Sequence, residues 1–249
     1  MKKNFFIFLF IFILLPIQVW AEDTSGLDVD HDGLTNSEEI NKYYTDYLNS
    51  DTDGDGYFDG EEIAKHFSPH AKAKTLSQYD LDGDGLSDWL EIQFGTNLNN
   101  YDTDGDGFSD YNEVLNSYDP LNSKPIKLPQ EIIIDTTKQT LTAKLNNISL
   151  VIFPVSTGKA GYETTRGEYE INNKIPRAWS KTYGLWMPYW MSFIGSQYGI
   201  HELPEWPGGI KEGQNHLGTP VSHGCVRLGI GPAEWLYNWA NIGTKVKVK

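Results

Sequence analysis

The sequence predicts a multidomain chain: an N-terminal array of acidic loop repeats with short helices, followed by a mainly-β, β-sandwich-like domain with one short helix. Residues 22–124 carry 25 Asp and Glu against 5 Lys, whereas residues 125–249 carry 9 acidic and 13 basic side chains. The acidic half has few large apolar residues, so it needs counter-ions to fold. The second half has the size of an ordinary domain and can bury a core of its own.

Residues 1–21 have the pattern of a secretory signal peptide. Lys2 and Lys3 form a positive start, residues 5–15 are apolar, and Ala21 provides a small residue for cleavage. A retained signal anchor is the alternative, but the apolar run is short for a membrane span of roughly 20 residues. We therefore expect export to the periplasm or to the cell wall and extracellular space, with no membrane span after cleavage.

Residues 28–113 contain four copies of one acidic pattern, with starts 23, 29 and 22 residues apart. Every copy has side-chain oxygens at positions 1, 3, 5, 9 and 12 and a glycine at position 6. The glycine permits a sharp turn and the last Glu can bind in bidentate fashion, which suits Ca²⁺. The predicted ligands are Asp28, Asp30, Asp32, Asn36, Glu39, Asp51, Asp53, Asp55, Asp59, Glu62, Asp80, Asp82, Asp84, Asp88, Glu91, Asp102, Asp104, Asp106, Asp110 and Glu113.

The copies also share apolar positions, expected to pack between neighbouring repeats: Leu34, Tyr57, Leu86, Phe108, Ile40, Ile63, Ile92 and Val114. The first copy departs most, because His31 replaces a glycine and Asn36 an aspartate, so its site is expected to be weaker. The starts lie too close for full EF-hand pairs, and residues 28–122 resemble bacterial thrombospondin type 3 repeats, an aspartate-rich calcium-bound array. The alternative is a solvated acidic linker that binds no specific ion, which four copies in one register disfavour.

Residues 125–129 are predicted to link the repeat region, residues 22–124, to the second domain, residues 130–249. Short β-branched or aromatic runs predict strands, and the spacing of Trp235, Leu236 and Trp239 predicts a short amphipathic helix over residues 232–241. Residues 183–191, rich in aromatic side chains with Gly and Pro, are predicted as a loop that serves as a lid or cleft wall, with Tyr189 and Trp190 as substrate contacts. The predicted strands are 131–135, 141–145, 150–155, 167–171 and 245–248.

Cys225 is the single cysteine of the chain, and it lies in the run SHGCVR at 222–227. In an exported protein a lone thiol is expected to be buried, paired between chains or chemically active. A cysteine nucleophile needs a base, and the residues alone leave His201, His216 and His223 as candidates. Gly224 allows its own amide and that of Cys225 to face one developing oxyanion, and Arg227 has a charge suited to a substrate carboxylate.

Other roles for these residues are weaker. A zinc site from Cys225, His223 and His201 or His216 lacks paired cysteines or an acidic ligand at standard spacing. A buried structural cysteine leaves the flanking Ser-His-Gly and Arg unexplained. There is no phosphate-binding glycine loop and no basic stripe, so nucleic acid is not an expected partner.

Residues 130–249 resemble the catalytic domain of the L,D-transpeptidases, the penicillin-insensitive cross-linkers of bacterial peptidoglycan. The shared motifs occur in family order: IIID at 132–135, KQTL at 138–141, FPVSTG at 153–158, TRGEY at 165–169, GIH at 199–201, LGTP at 217–220, SHGCVR at 222–227 and GTKV at 243–246. The resemblance implies roles for six residues: Cys225 as nucleophile, His201 as general base, Ser222 orienting the base through its carbonyl, His223 and Gly224 shaping the oxyanion pocket, and Arg227 contacting substrate.

Two departures affect the acceptor side of the predicted site. Family members commonly have glycine after the base histidine, whereas this chain has Glu202, Leu203 and Pro204. The base and the nucleophile are also 24 residues apart, more than in compact members of the family.

The resemblance implies an exported cysteine L,D-transpeptidase that acts on peptidoglycan tetrapeptide stems through a Cys225 thioester. It would release D-alanine and form 3→3 cross-links or anchor a protein to the wall, with no cofactor for catalysis and Ca²⁺ as a structural ion of the repeats. The alternatives are an L,D-carboxypeptidase, with water as acceptor, and a calcium-dependent wall-binding or adhesion protein with an idle catalytic domain. An envelope protein is a further expected partner, as acceptor or through the repeats. Removal of calcium is expected to unfold residues 22–124 and leave residues 130–249 intact.

Overall fold

The repeats fold as loops that each lead into a short helix. The computed structural model describes residues 26–249, and the predicted signal peptide lies outside the described residues. Each helix begins at position 9 of its repeat, so the acidic loop and the helix form one unit. The helices are α1 (Asn36–Glu38), which continues as a π-helical turn (Glu39–Tyr43), α2 (Asp59–Ala64), α3 (Asp88–Phe94) and α4 (Asp110–Leu115). Within residues 26–249 we find no helix with the length and apolar character to cross a bilayer.

The C-terminal domain consists of nine strands within the described residues, joined in one sheet of order β4-β9-β1-β2-β3-β8-β7-β6-β5. The first part of β3 pairs with β2 and its last two residues pair with β8, so β3 joins two halves of the sheet. The strands are β1 (Gln130–Asp135), β2 (Thr140–Leu145), β3 (Ile148–Ser156), β4 (Gly167–Glu170), β5 (Asn173–Ser180), β6 (Leu185–Ile194), β7 (Tyr198–Glu202), β8 (Val226–Leu228) and β9 (Lys245–Val248).

Alternating burial along the strands builds the core between the sheet halves. In β2 every second residue is buried, and β9 alternates in the same way. Helix α5 (Pro232–Trp239) begins with proline at its first position and covers this core with Leu236 and Trp239. The five predicted strands are confirmed, and the predicted helix ends at Trp239, two residues before the expected end.

The prediction of a loop at 183–191 is wrong for most of its length. Residues 185–194 form β6, which pairs with β5 in a hairpin. Gly184 supplies the turn with a φ of +64°, a conformation that glycine adopts without strain. Only the tip of this hairpin matches the Gly-containing loop that the sequence predicts, since the aromatic residues after it have strand geometry.

The repeat region and the β domain share one hydrophobic core. Leu86 and Val114, from the third and fourth repeats, belong to the same buried cluster as Ile132 and Leu236. The chain after the fourth repeat is also tied back to it, because the amide of Leu128 donates to the Ser117 carbonyl. The two halves therefore pack together, which corrects the expectation of independent modules.

Packing between the repeats involves fewer apolar residues than predicted. Leu34 is buried, whereas Tyr57, Phe108 and Ile40 are exposed. Because Leu86 and Val114 pack toward the β domain, the apolar positions of the later repeats serve the contact between the two halves as well as the array.

Candidate active site and cation-binding loops

The predicted base lies on β7, and the predicted nucleophile directly precedes β8, the parallel neighbour of β7. Strands β7 and β8 pair with Ile200 beside Val226 and His201 beside Arg227. Side chains alternate along a strand, and Ile200 and Val226 are fully buried in the core. His201 and Arg227 therefore lie on the opposite face, and Cys225 directly precedes β8. The fold thus brings two residues that are 24 positions apart in sequence to a neighbouring pair of strands.

His201 is buried and oriented by its own strand. Its ring stacks on that of Trp190, with centroids 5.8 Å apart, and its Nδ1 lies 2.5 Å from the Glu202 carbonyl oxygen. A carbonyl only accepts, so Nδ1 carries the hydrogen and Nε2 keeps its lone pair. Burial lowers the pKa of His201 to about 4. The ring is therefore a neutral base at neutral pH.

The Cys225 thiol is half-buried. Burial raises the pKa of this thiol, outweighing the hydrogen bond from the Gly199 backbone and the Arg227 charge. With His201 neutral as well, the resting pair consists of a thiol and an imidazole, so the proton has to move during the reaction.

Ser222 organises the nucleophile turn instead of orienting the base. Its Oγ donates to the Cys225 carbonyl at 2.6 Å and accepts from the Gly224 amide at 3.1 Å. The Ser222 carbonyl accepts from the Lys159 amide. The predicted role of that carbonyl is thus corrected, because the Glu202 carbonyl holds Nδ1 of the base. The Gly224 amide, predicted as an oxyanion donor, is likewise already bonded.

Residue 224 has to be glycine, because its backbone conformation and its close neighbours leave no room for a side chain. It has a φ of +112°, and a Cβ at this position would lie 2.3 Å from the Tyr198 ring. The Gly224 carbonyl accepts from Thr164 Oγ1 at 2.9 Å. Tyr198 and Thr164 were not identified from the sequence, although each lies next to a family motif.

Three aromatic side chains form a wall beside the SHGCVR run. The ring of His223 stacks on Tyr183, with centroids 5.0 Å apart, and meets Tyr162 edge-on at 4.9 Å. Tyr183 lies in the turn between β5 and β6, so this part of the predicted lid does approach the SHGCVR run. Tyr162 and Tyr183 are both about half exposed and form an accessible surface.

The two predicted aromatic substrate contacts have different environments. Trp190 is 5% exposed and covers His201, so it supports the base and offers little surface to a substrate. Tyr189 packs against Tyr237 of α5, with ring centroids 5.7 Å apart. Its φ of +54° interrupts the alternation of β6 and turns the ring toward the helix. Tyr189 is therefore corrected to a packing residue.

Arg227 is paired within the protein. Its Nη1 donates to both carboxylate oxygens of Glu212, at 3.0 and 2.9 Å, and both side chains are 12% exposed. His216 Nδ1 lies 3.1 Å from the same carboxylate. Glu212 comes from the additional chain between His201 and Cys225, and Glu202 in turn pairs with Lys211. The extra residues thus neutralise the charge that the sequence assigned to substrate.

The acidic loops concentrate carboxylates that lack partners. In each repeat, carboxylate oxygens of the repeat lie within 4.8 Å of one another, in groups such as Asp51, Asp53 and Asp55. Burial and neighbouring carboxylates raise the pKa of Glu62 to about 8 and that of Glu91 to about 9. Buried oxygens without a hydrogen-bond partner occur in Asp30, Asp32, Glu39, Asp53, Glu62, Asp82, Asp88, Glu91, Asp104 and Glu113. This donor set, made of hard oxygens that need a positive charge, fits Ca²⁺.

The acidic side chains at position 9 have a second role. Asp59, Asp88 and Asp110 accept hydrogen bonds from the backbone amide at position 2 of the same repeat. They therefore close the loop as well as adding charge, which the sequence pattern did not reveal. Among residues 26–249, the groups of His, Cys, Asp and Glu spaced to hold a metal do not include Cys225.

Two parts of the chain match models of known protein families. Residues 129–248 match the model of the L,D-transpeptidase catalytic domain, and residues 51–66, 80–97 and 102–123 match the bacterial TSP3 repeat. The chain is 31% identical over 107 residues to YkuD of Bacillus subtilis and 28% identical over 104 residues to YkuD of Bacillus licheniformis. Each alignment covers 42% of this chain and 56% of the relative, so the chain spans just over half the length of these proteins.

Solved structures of L,D-transpeptidases are also similar. That from Stackebrandtia nassauensis is 32% identical with a TM-score of 0.41, over 50% of this chain and 57% of that one. The Mycobacterium smegmatis enzyme is 23% identical with a TM-score of 0.43, over 49% and 59% of the two chains. Residues 129–248 therefore match the L,D-transpeptidase catalytic-domain family, and they follow segments that match the bacterial TSP3 repeat.

Proposed function

We propose that the protein is an exported L,D-transpeptidase that acts on peptidoglycan tetrapeptide stems in the periplasm or cell wall. The observation that carries the proposal is that His201 lies on β7 beside Arg227 of β8, while Cys225 directly precedes β8. The neutral Nε2 of His201 supports its role as general base, and the half-buried thiol supports Cys225 as nucleophile.

The reaction begins with proton transfer from the thiol to Nε2 of His201 while Sγ attacks the carbonyl of the L-centre of residue 3. The amide of Cys225 faces the developing oxyanion. The tetrahedral intermediate then breaks its C–N bond, and D-alanine leaves as its amine takes the proton from His201. A thioester on Cys225 remains.

An acceptor amine completes the cycle. It attacks the thioester carbonyl, gives its proton to His201, and the C–S bond breaks to return the thiol. A second stem as acceptor gives a 3→3 cross-link, and an envelope protein as acceptor is anchored to the wall. The aromatic wall of Tyr162, Tyr183 and His223 is the exposed surface next to the thiol, and it is available to either peptide.

We also propose that the four acidic loops bind Ca²⁺ as a structural ion. The support is the set of buried carboxylate oxygens without partners, which a divalent cation would neutralise. The ion would supply positive charge to the loops and would have no part in the catalytic steps.

The test is mass spectrometry of muropeptides after incubation of residues 22–249 with disaccharide tetrapeptides. Transpeptidation predicts loss of D-alanine together with cross-linked dimers, with the Cys225→Ala variant as the inactive control. Tripeptide products without dimers would instead identify an L,D-carboxypeptidase. Unchanged stems with the wild-type chain would contradict the enzymatic proposal and favour a wall-binding role.

A further inference from the structure

Asp59 belongs to the second repeat, but its carboxylate also lies next to the first repeat. It is fully buried, and one of its carboxylate oxygens lies within 4.8 Å of oxygens from Asp32 and Glu39 of the first repeat. The carboxylates at positions 1, 3 and 5 of its own repeat form a separate group, made of Asp51, Asp53 and Asp55. The sequence pattern assigned Asp59 to the second loop alone.

The group around Asp59 contains two carboxylate oxygens that lack a hydrogen-bond partner. Glu39 is fully buried, and its Oε2 has no hydrogen-bond partner. Oδ2 of Asp32 also has no hydrogen-bond partner, and Asp32 is 7% exposed. Three buried carboxylates in contact, two of them with free oxygens, require a positive charge between them.

Close packing of the first two repeats places Asp59 next to Asp32 and Glu39. The next residue, Gly60, touches the first loop so closely that a Cβ would lie 2.5 Å from the Asp32 carbonyl oxygen. The later repeats show a similar contact, where the Tyr111 amide donates to Asp84 Oδ2 at 2.7 Å. These pairs are the repeats with starts 23 and 22 residues apart, whereas 29 residues separate the second start from the third.

We propose that Asp59 is a ligand of the Ca²⁺ ion in the first loop, together with Asp28, Asp30, Asp32 and Glu39. It supplies the carboxylate that Asn36 cannot provide at position 9 of the first repeat. The hydrogen bonds from Thr52 to its two oxygens leave a lone pair on each for a cation. The first site is therefore completed by the second repeat, so calcium binding fastens the two repeats together. The inference rests on the proposed binding of calcium by the loops.

The experiment counts calcium ions per chain by equilibrium dialysis and native mass spectrometry at a fixed free calcium concentration. Glu62→Gln removes the bidentate Glu of the second loop and should lose one ion relative to wild type. Adding Asp59→Asn to Glu62→Gln should lose a second ion. Because the second loop no longer binds calcium in this background, the further loss would come from the first loop. The side-chain oxygen of Asn still accepts from the Thr52 amide, which preserves the loop closure.

A matched control separates ligation from structure. Thr52→Val in the Glu62→Gln background removes the hydroxyl hydrogen bond to Asp59 and leaves the carboxylate, so the count should stay at that of Glu62→Gln alone. An unchanged count in Glu62→Gln/Asp59→Asn would overturn the role of Asp59, and so would a second loss in the Thr52→Val control. A wild-type chain that binds no calcium would instead remove the proposed cation sites altogether, which is a distinguishable result.

Discussion

The indole of Trp190 covers one face of the His201 imidazole, with the ring planes inclined by 29°. Trp190 precedes Met191, which pairs with Ile200, so the two rings project from the same face of adjacent strands. This contact shields the base from water and disfavours its protonated form. We therefore propose that Trp190 positions the His201 ring and keeps it neutral.

The acid limb of the pH–rate profile should reflect this burial. Since burial lowers the pKa of His201 to about 4, kcat/KM should fall only near that pH and not near 6.5, the ordinary value. Trp190→Ala should move the limb upward by admitting water. Trp186→Ala is a matched control, because Trp186 lies on the same strand and meets the ring of Trp179 edge-on. An acid limb that stays in place in Trp190→Ala would contradict the role given to Trp190.

The same pKa shift predicts how stability depends on pH. The folded pKa of His201 is depressed, so between about pH 4 and pH 6.5 only the unfolded chain binds this proton. The contribution of His201 to the free energy of unfolding should therefore rise with pH through this window and stay level above it. Denaturant titrations of wild type and His201→Gln between pH 4 and 7 measure the difference, and parallel pH dependences would argue against a depressed pKa.

Cys225→Ala should abolish turnover and leave the fold intact, because no other side chain of the SHGCVR run can form the acyl intermediate. A carbapenem has a strained carbonyl that acylates an activated thiol, so intact-mass spectrometry should show an adduct on wild type and none on the variant. Turnover that survives in Cys225→Ala would remove the thiol from the mechanism.

His201→Ala should lower kcat/KM by roughly 10² to 10⁴, the usual contribution of a general base. His216→Ala should have a much smaller effect, because His216 is partly exposed and contacts Glu212, the carboxylate that pairs with Arg227. Steady-state rates of D-alanine release compare the two variants directly. The reverse order of effects would move the role of base to His216.

Gly224→Ala should disturb the nucleophile turn more than its small size suggests. The methyl group would collide with the Tyr198 ring, and the φ of +112° is strained for alanine. A cost of about 1–3 kcal/mol is expected from the strained backbone alone. Thermal melting and D-alanine release should both decline, whereas Gly229→Ala, at a glycine without positive φ, should have less effect on the site. Normal activity in Gly224→Ala would show that the turn adapts.

The sequence revealed the parts of the site that depend on local pattern. Residue type and motif order located Cys225 and His201, and short runs of β-branched or aromatic residues located strands such as β2 and β9. It did not reveal Glu212 beside Arg227, because that contact depends on the path of the extra chain between His201 and Cys225. It did not reveal the Glu202 carbonyl beside His201 either, because that contact depends on the orientation of the His201 ring. Tyr189 was misassigned because its positive φ breaks the alternation of β6. Asp59 was assigned to one loop because a linear repeat does not show how neighbouring repeats pack.

Chelation of calcium should destabilise the catalytic domain as well as the repeats, because Leu86 and Val114 lie in the same core as Ile132. Loss of the ions leaves the loop carboxylates uncompensated, so the repeats unfold and the apolar face they cover becomes exposed to water. Melting followed by near-ultraviolet circular dichroism, with and without chelator, should therefore show a lower Tm for the β domain. A β domain that melts at the same temperature in both conditions would instead restore the independent modules that the sequence suggested.

A pair of substitutions tests whether the repeats stabilise the β domain through the shared core. Leu86→Ala removes a fully buried side chain from the contact and should cost about 2–5 kcal/mol of stability. Phe108→Ala, at the same position of the fourth repeat but 64% exposed, should change the stability by about 0.5 kcal/mol or less. Because Leu86 belongs to the core of the β domain, chelator should lower the Tm of the Leu86→Ala variant by less than it lowers the Tm of wild type. If both variants respond to chelator as wild type does, calcium acts on the β domain by a route other than this core.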